Sequence, residues 1–351
     1  MNSVLAIITV TCFVTIAKAN TDVLQIPPNG LGAKGKQINI TTLLEWPTTE
    51  SFMTDYAKPA RPFIVRNAAK DWKASLKWTD EYLMSIDEGM KEKVTVEQAK
   101  KEDRNNPAEE LSLHEFVRGY QEKDWYMVER VPMFLRQDIV MPPLFQCPLI
   151  ANLLLEQMMW FSNGGTKSVL HFDSMDNIHC LITGRKLFVL IDPKNKVEID
   201  QPQGSYSSVD VDNVDYSKHP DLLNLEYHMA YLSAGDCMYL PYHWYHQVRA
   251  ADRNIGVNIW WNHFSMMTMD YSSCEDVPQQ HHKTMDQFQF QGTDKLLQHE
   301  EAIKSHFRML TGQGGTPLTY DRLLFMFLGD EEHRPGMKDG EDSLKTLFQS
   351  F

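Results

Sequence analysis

Between Met158 and Trp261 the chain is a succession of short apolar runs, each closed by residues that turn a backbone. Gly164-Gly165 precedes one run, and Thr183-Gly184 reads as a turn before Lys186 to Ile191, which Asp192-Pro193 ends. Gly235-Asp236 opens Cys237 to Leu240, and Ala251-Asp252-Arg253-Asn254 turns into Ile255 to Trp261. Apolar runs of strand length, spaced by turns and not alternating with helices, predict an antiparallel barrel or jelly roll. The polar stretch Val209 to Asn224 interrupts that texture as a long inserted loop.

The flanks differ. Residues 20–135 read as a mixed α/β region, 136–265 as the β core and 266–351 as a helical extension. Thr48 to Lys58 is expected to be an approach segment, Pro59-Ala60-Arg61-Pro62 extended chain, and Phe63-Ile64-Val65 a buried strand. Thr79 before Asp80 and Glu81 is a helix N-cap, and Ser112 with Glu115 forms a capping box before the helix Leu113 to Tyr120. Gln98 to Glu110 reads as a surface loop and Trp125 to Val128 as a strand. Downstream, Lys295 to Thr311 and Thr319 to Leu328 have amphipathic helical patterns that could pair two chains into a homodimer. Lys338 to Asp342 lacks the alternating oxygen ligands of an EF-hand.

Residues 1–19 read as a signal peptide: Val4 to Ile16 is an apolar run too short to span a bilayer well, and Ala17-Lys18-Ala19 is a small-x-small cleavage pattern. The expected destination is the secretory pathway, either the ER lumen or the outside, with no later membrane span. The last residues, Leu347 to Phe351, are not a retention tetrapeptide. Asn39-Ile40-Thr41 is then a glycosylation sequon on Asn39. Beyond Cys12, four cysteines remain, at 147, 180, 237 and 274. The apolar surroundings of Cys180 and Cys237 favour free buried thiols, although an oxidising lumen permits a disulfide whose pairing sequence does not assign. A net charge of −13, with no Lys/Arg stripe, excludes the footprint of a nucleic-acid binder.

The chemistry centres on His171-Phe172-Asp173. On extended backbone, residues i and i+2 share a face, so an imidazole and a carboxylate point together. His243 or His246, just after a strand, can add a second imidazole. Two imidazoles and one carboxylate make the facial triad of non-haem Fe(II) oxygenases. Lys186 shares its face with Phe188 and Leu190, and a lysine aimed into an apolar interior needs an anion. Asn177 and Asn258 stand in otherwise apolar runs and need partners too. His179 is expected to be an ordinary packed histidine, His281-His282 a solvated pair, and Trp244, Trp260 and Trp261 barrel packing. Asp176 stays open between a supporting group and a surface residue.

These residues resemble the JmjC domain of 2-oxoglutarate oxygenases, nearest the small protein-hydroxylase branch that includes the hypoxia-pathway asparaginyl hydroxylase. In that pattern a Ser or Thr stands three before the first His (Ser168 here), an Asn six after it (Asn177), and a lysine fifteen after it (Lys186). The run from Gly235-Asp236 through Pro241, Trp244 and Tyr245 to His246 matches as well, as do Val257-Asn258-Ile259-Trp260 and, more loosely, Trp125-Tyr126. The likeness reaches upstream through Pro62 to Ala69 and Trp72. It implies a mainly β, double-stranded β-helix (cupin-like jelly-roll) core with flanking helices and a C-terminal helical extension. Fe(II) would sit on His171, Asp173 and His246, with Lys186, Ser168, Asn177, Asn258 and Tyr126 around 2-oxoglutarate. O₂ would be consumed and succinate and CO₂ released as a side chain of a secretory-pathway polypeptide is hydroxylated. A leader is unusual in this superfamily and sets chromatin aside as substrate. The alternatives are a catalytically silent jelly-roll binding module and a metal cupin that does not use 2-oxoglutarate.

Overall fold

The computed structural model describes residues 23–98, 108–195 and 205–292. The expected leader, the two amphipathic helices beyond Lys295 and the acidic stretch at Lys338 to Asp342 lie outside the described residues. Twelve strands carry the fold: β1 Lys36–Asn39, β2 Thr41–Leu43, β3 Phe63–Val65, β4 Lys93–Glu97, β5 Glu109–Ser112, β6 Tyr126–Glu129, β7 Leu154–Ser162, β8 Thr166–Lys167, β9 Asp176–Ile191, β10 Glu226–Ser233, β11 Cys237–Leu240 and β12 Tyr245–Trp261. They join in one sheet in the order β2-β3-β11-β9-β12-β7-β6-β4-β5, with β10 also on β9, β1 on β10 and β8 on β12. The architecture is mainly β with few helices, as a jelly roll requires.

The spine is the antiparallel pair β9 and β12, which face each other from Asp176↔Trp261 to Ile191↔Tyr245. Where turns were expected at Thr183-Gly184 and Ala251–Asn254, both strands run on, bent. Gly184 has φ 86° and Asp252 φ 62°, and the register shifts between Ala251 and Ile255. A left-handed residue on each partner turns a barrel corner without ending the ladder. A Cβ on Gly184 would lie 2.6 Å from the Arg253 carbonyl oxygen, so the corner needs glycine. On one side of the bend β9 and β12 pair with β11 and β7; on the other they pair with β10 and β8.

The flanks mostly follow their local signals, but Pro59-Ala60, expected to be extended, is a turn in which Ala60 adopts φ 51° and donates its N–H to the Ala57 carbonyl at 3.0 Å. Thr79 and Ser112 cap the helices Asp80–Ser85 and Leu113–Gly119, the second with the full capping box. Thr48 to Lys58, the expected approach segment, is helical: Thr48 caps Thr49–Ser51, and Phe52–Ala57 continues as a wide-turn helix. Phe52, Met53 and Ala57 share one buried face that the intervening Thr and Asp obscure in sequence. The free-thiol reading of Cys180 and Cys237 is also overturned. They sit directly opposite on β9 and β11 and form a disulfide, and Cys147 is bonded to Cys274. The second bond ties down the segment after β12, whose Met285 and Phe290 are fully buried. The Val209 to Asn224 loop folds onto the barrel, where the buried Arg249 reaches Asp212 at 2.8 Å and the Val211 carbonyl at 3.2 Å. Asn39 is exposed on β1 at the sheet margin.

Candidate active site

A cavity of about 170 Å³ opens inside the barrel, lined by residues of β4, β6, β7, β9 and β12. His171, Asp173 and His246 stand in its wall with their ligand atoms all within 4.8 Å of one another. His171 is not in a regular strand but in a single bridge between His246 and Tyr206. The i, i+2 alternation still holds, because Phe172 turns away to pack edge-on against His243 and Tyr245.

Both imidazoles are held for metal binding in the same way. Nδ1 of His171 donates to the Val169 carbonyl at 3.0 Å, and Nδ1 of His246 donates to the Trp244 carbonyl at 2.9 Å. A hydrogen fixed on Nδ1 leaves the Nε2 lone pair for a metal. His246 Nε2 lies 3.9 Å from an Asp173 carboxylate oxygen, too long for a direct hydrogen bond and suited to a shared ion. Burial and the neighbouring His171 push the His246 pKa down to about 4, keeping it neutral. The donor set therefore fits a divalent first-row metal with positions left open.

His243 is outside this group. It adopts φ 62°, stacks on Tyr242 at 3.7 Å, and donates its backbone N–H to the Asp173 carbonyl at 2.9 Å. Asp176 is fully buried and holds the same loop: one carboxylate oxygen accepts from Tyr239 hydroxyl (3.0 Å) and Tyr242 N–H (2.9 Å), the other from His263 Nδ1 (2.8 Å). It is a supporting group, not a surface residue.

Lys186 is 3% exposed and lines the cavity. Among the described residues no carboxylate compensates it, and desolvation pulls its pKa from 10.5 down to about 7. Asn177 also lines the cavity, with its Oδ1 buried and unpartnered. Asn258 is committed to His179 at 2.6 Å. The Ser168 hydroxyl donates to the Val169 carbonyl and accepts from Val248 N–H, so it presents no spare hydrogen unless it rotates. Tyr126 lines the cavity from β6. The unmatched buried Lys186 ammonium fits an anionic guest beside the metal group.

Three further residues at this cavity escaped the sequence reading, Glu97, Trp160 and Tyr206, and His179, expected to be an ordinary packed histidine, lines it as well. Glu97 and Trp160 lie in flanking strands whose pairing with the core is not written locally. Trp260, expected to be packing, faces the cavity with its Nε1 buried and unpartnered and meets Trp160 edge-on at 6.5 Å. Trp244 and Trp261 do pack, as expected.

A family model described as a cupin-like domain matches residues 49–267. The chain belongs to the cupin-like domain family. The match takes in the barrel, the metal-ligand group and most of the N-terminal flank. The relatives of this cupin-like protein include the chicken tRNA wybutosine-synthesizing protein 5, 27% identical over 65% of this chain and 79% of that one. The Arabidopsis thaliana lysine-specific demethylase JMJ30 is 27% identical over 61% of this chain, and the Xenopus tropicalis lysine-specific demethylase 8 is 26% identical over 62%. The match spans 52% of the length of each demethylase. The JmjC resemblance read from the motifs accords with these relatives.

Proposed function

We propose that this cupin-like protein is an Fe(II)- and 2-oxoglutarate-dependent oxygenase that hydroxylates a side chain of a secretory-pathway polypeptide. One observation carries the reading: a fully buried, uncompensated Lys186 shares a cavity with the His171, Asp173 and His246 group. A metal cupin without an anionic co-substrate has no use for that ammonium. Bound Fe(II) supplies the oxidative decarboxylation of 2-oxoglutarate by O₂, which yields succinate, CO₂ and the oxidising equivalent.

The chain's own residues do the positioning. His171 and His246 present Nε2, Asp173 adds a carboxylate, and Lys186 neutralises the distal end of the co-substrate. Trp160 and Trp260 add an apolar, aromatic wall to the cavity. Glu97, on the same cavity, favours a substrate side chain with a cationic head, which the aromatic faces also attract. The names of the two lysine-specific demethylases support that preference. A net charge of −13 argues against a tRNA substrate despite the wybutosine relative. Two disulfides support an oxidising compartment, and the exposed Asn39 suits glycosylation there.

The test is succinate release from 2-oxoglutarate by purified protein with iron and ascorbate, with and without lumenal protein extracts. Mass spectrometry then follows oxygen gained by a single residue. Turnover confined to a small metabolite, with no protein gaining oxygen, would remove the polypeptide reading.

A further inference from the structure

His179 sits mid-strand on β9, 2% exposed, on the cavity wall with Lys186. Its Nδ1 donates to the Asn258 Oδ1 at 2.6 Å, and its ring lies edge-on to Phe188 at 5.2 Å. Its Nε2 is buried with no hydrogen-bond partner. Gly256, across on β12, lies against that edge of the ring. A Cβ there would lie 2.8 Å from His179 Nε2 and 3.1 Å from Lys186 Nζ, so the two nitrogens converge on one small space. The same Cβ would be 2.4 Å from His179 Cε1, so any larger residue at 256 displaces the ring.

We propose that His179 is a second recognition residue for the dicarboxylate co-substrate, donating from Nε2 to the distal carboxylate that Lys186 neutralises. Gly256 leaves room for both heads. The assignment rests on the 2-oxoglutarate reading above and adds a residue to it. Desolvation and the nearby Lys186 charge drive the imidazole well below its usual pKa, so the ring acts as a neutral donor. A neutral ring has one N–H. With the Asn258 amide nitrogen turned toward Nδ1, that hydrogen is on Nε2 and faces the space beside Lys186. That state is the half-turn of the Asn258 amide, whose oxygen faces Nδ1 in the structure.

The experiment is calorimetric binding to the full chain loaded with Mn(II) under argon, which needs no turnover. Two probes are compared: 2-oxoglutarate, and 2-oxobutyrate, which keeps the 2-oxo acid and lacks the distal carboxylate. His179→Phe is expected to weaken 2-oxoglutarate about tenfold or more, the worth of one hydrogen bond to a charged group, and to leave 2-oxobutyrate unchanged. His179→Gln, which keeps an N–H donor, should recover part of the loss, and Gly256→Ala should reproduce it with the imidazole still present. Unchanged 2-oxoglutarate affinity in His179→Phe, or an equal loss for both probes, overturns the assignment. If His179→Phe does not fold, Gly256→Ala decides, and unchanged 2-oxoglutarate affinity there overturns it equally. Wild-type protein that binds Mn(II) but not 2-oxoglutarate would remove the co-substrate reading and His179's role with it, a result distinct from failure of the variants alone.

Discussion

Replacing Lys186 with Met should move stability and co-substrate affinity in opposite directions. In the folded chain the ammonium is buried without a carboxylate, and its pKa falls from 10.5 to about 7. At about 1.36 kcal/mol per pKa unit, the charged form is disfavoured by folding by roughly 5 kcal/mol. The sign follows from proton counts: between pH 7 and 10.5 the unfolded chain binds more protons than the folded one, so stability rises with pH across that window. The penalty is complete below pH 7 and gone above 10.5. Met fills a similar volume without charge, so Lys186→Met should be more stable than wild type at pH 7 by a few kcal/mol, after some loss to imperfect packing. The gain should shrink to nothing toward pH 10.5. The same change leaves a bound carboxylate unmatched, which costs about 3–5 kcal/mol and so at least a hundredfold in 2-oxoglutarate affinity. Denaturant unfolding of metal-free protein at pH 7 and 10, beside calorimetry with 2-oxoglutarate, measures both. A variant less stable than wild type at pH 7 would show that Lys186 already has a partner in the folded chain, and the reasoning about an awaited anion would fail.

His246→Ala should abolish tight metal binding and His243→Ala should retain it, measured by metal content after dialysis; normal iron in His246→Ala would contradict the ligand assignment. Asp176→Ala leaves the Tyr239 hydroxyl and the Tyr242 N–H without their buried acceptor, so it should cost about 2–4 kcal/mol in denaturant unfolding and weaken metal binding by freeing the loop before His246. N-terminal sequencing of protein from a secretory host should begin at Asn20, and a glycosidase should remove mass from wild type but not from Asn39→Gln; an intact Met1 on unglycosylated protein would count against the compartment.

Much of the site was legible because its signals are local. The i, i+2 spacing of His171 and Asp173 places two ligands on one face of extended chain, whatever strand lies next door. A lysine in step with Phe188 and Leu190 announces a buried cation just as locally. Capping residues at Thr79 and Ser112 act within a single turn, and those helices stand where the sequence put them. His246 over His243 was decided in sequence by the family spacing, and the fold gives the reason: the left-handed backbone of His243 and its N–H bond to Asp173 turn that ring onto Tyr242.

What the sequence left open depends on register between distant strands. Cys180 and Cys237 look like buried thiols until β9 and β11 bring them directly opposite. Thr183-Gly184 has the composition of a hairpin turn, and only the continuous pairing with β12 makes it a corner within one strand. Glu97 and Trp160 meet the cavity because β4, β6 and β7 add to the sheet beside β12. Asp176 could have been a surface acid, and three donors from β11, the following loop and the helix after β12 make it internal. His179 reads as ordinary along the chain, and only the facing strand shows its buried, unpartnered Nε2 packed at Gly256 beside Lys186. A single residue's pattern fixes which way it faces along its own strand; what it meets there is set by contacts across the sheet, between residues tens of positions apart.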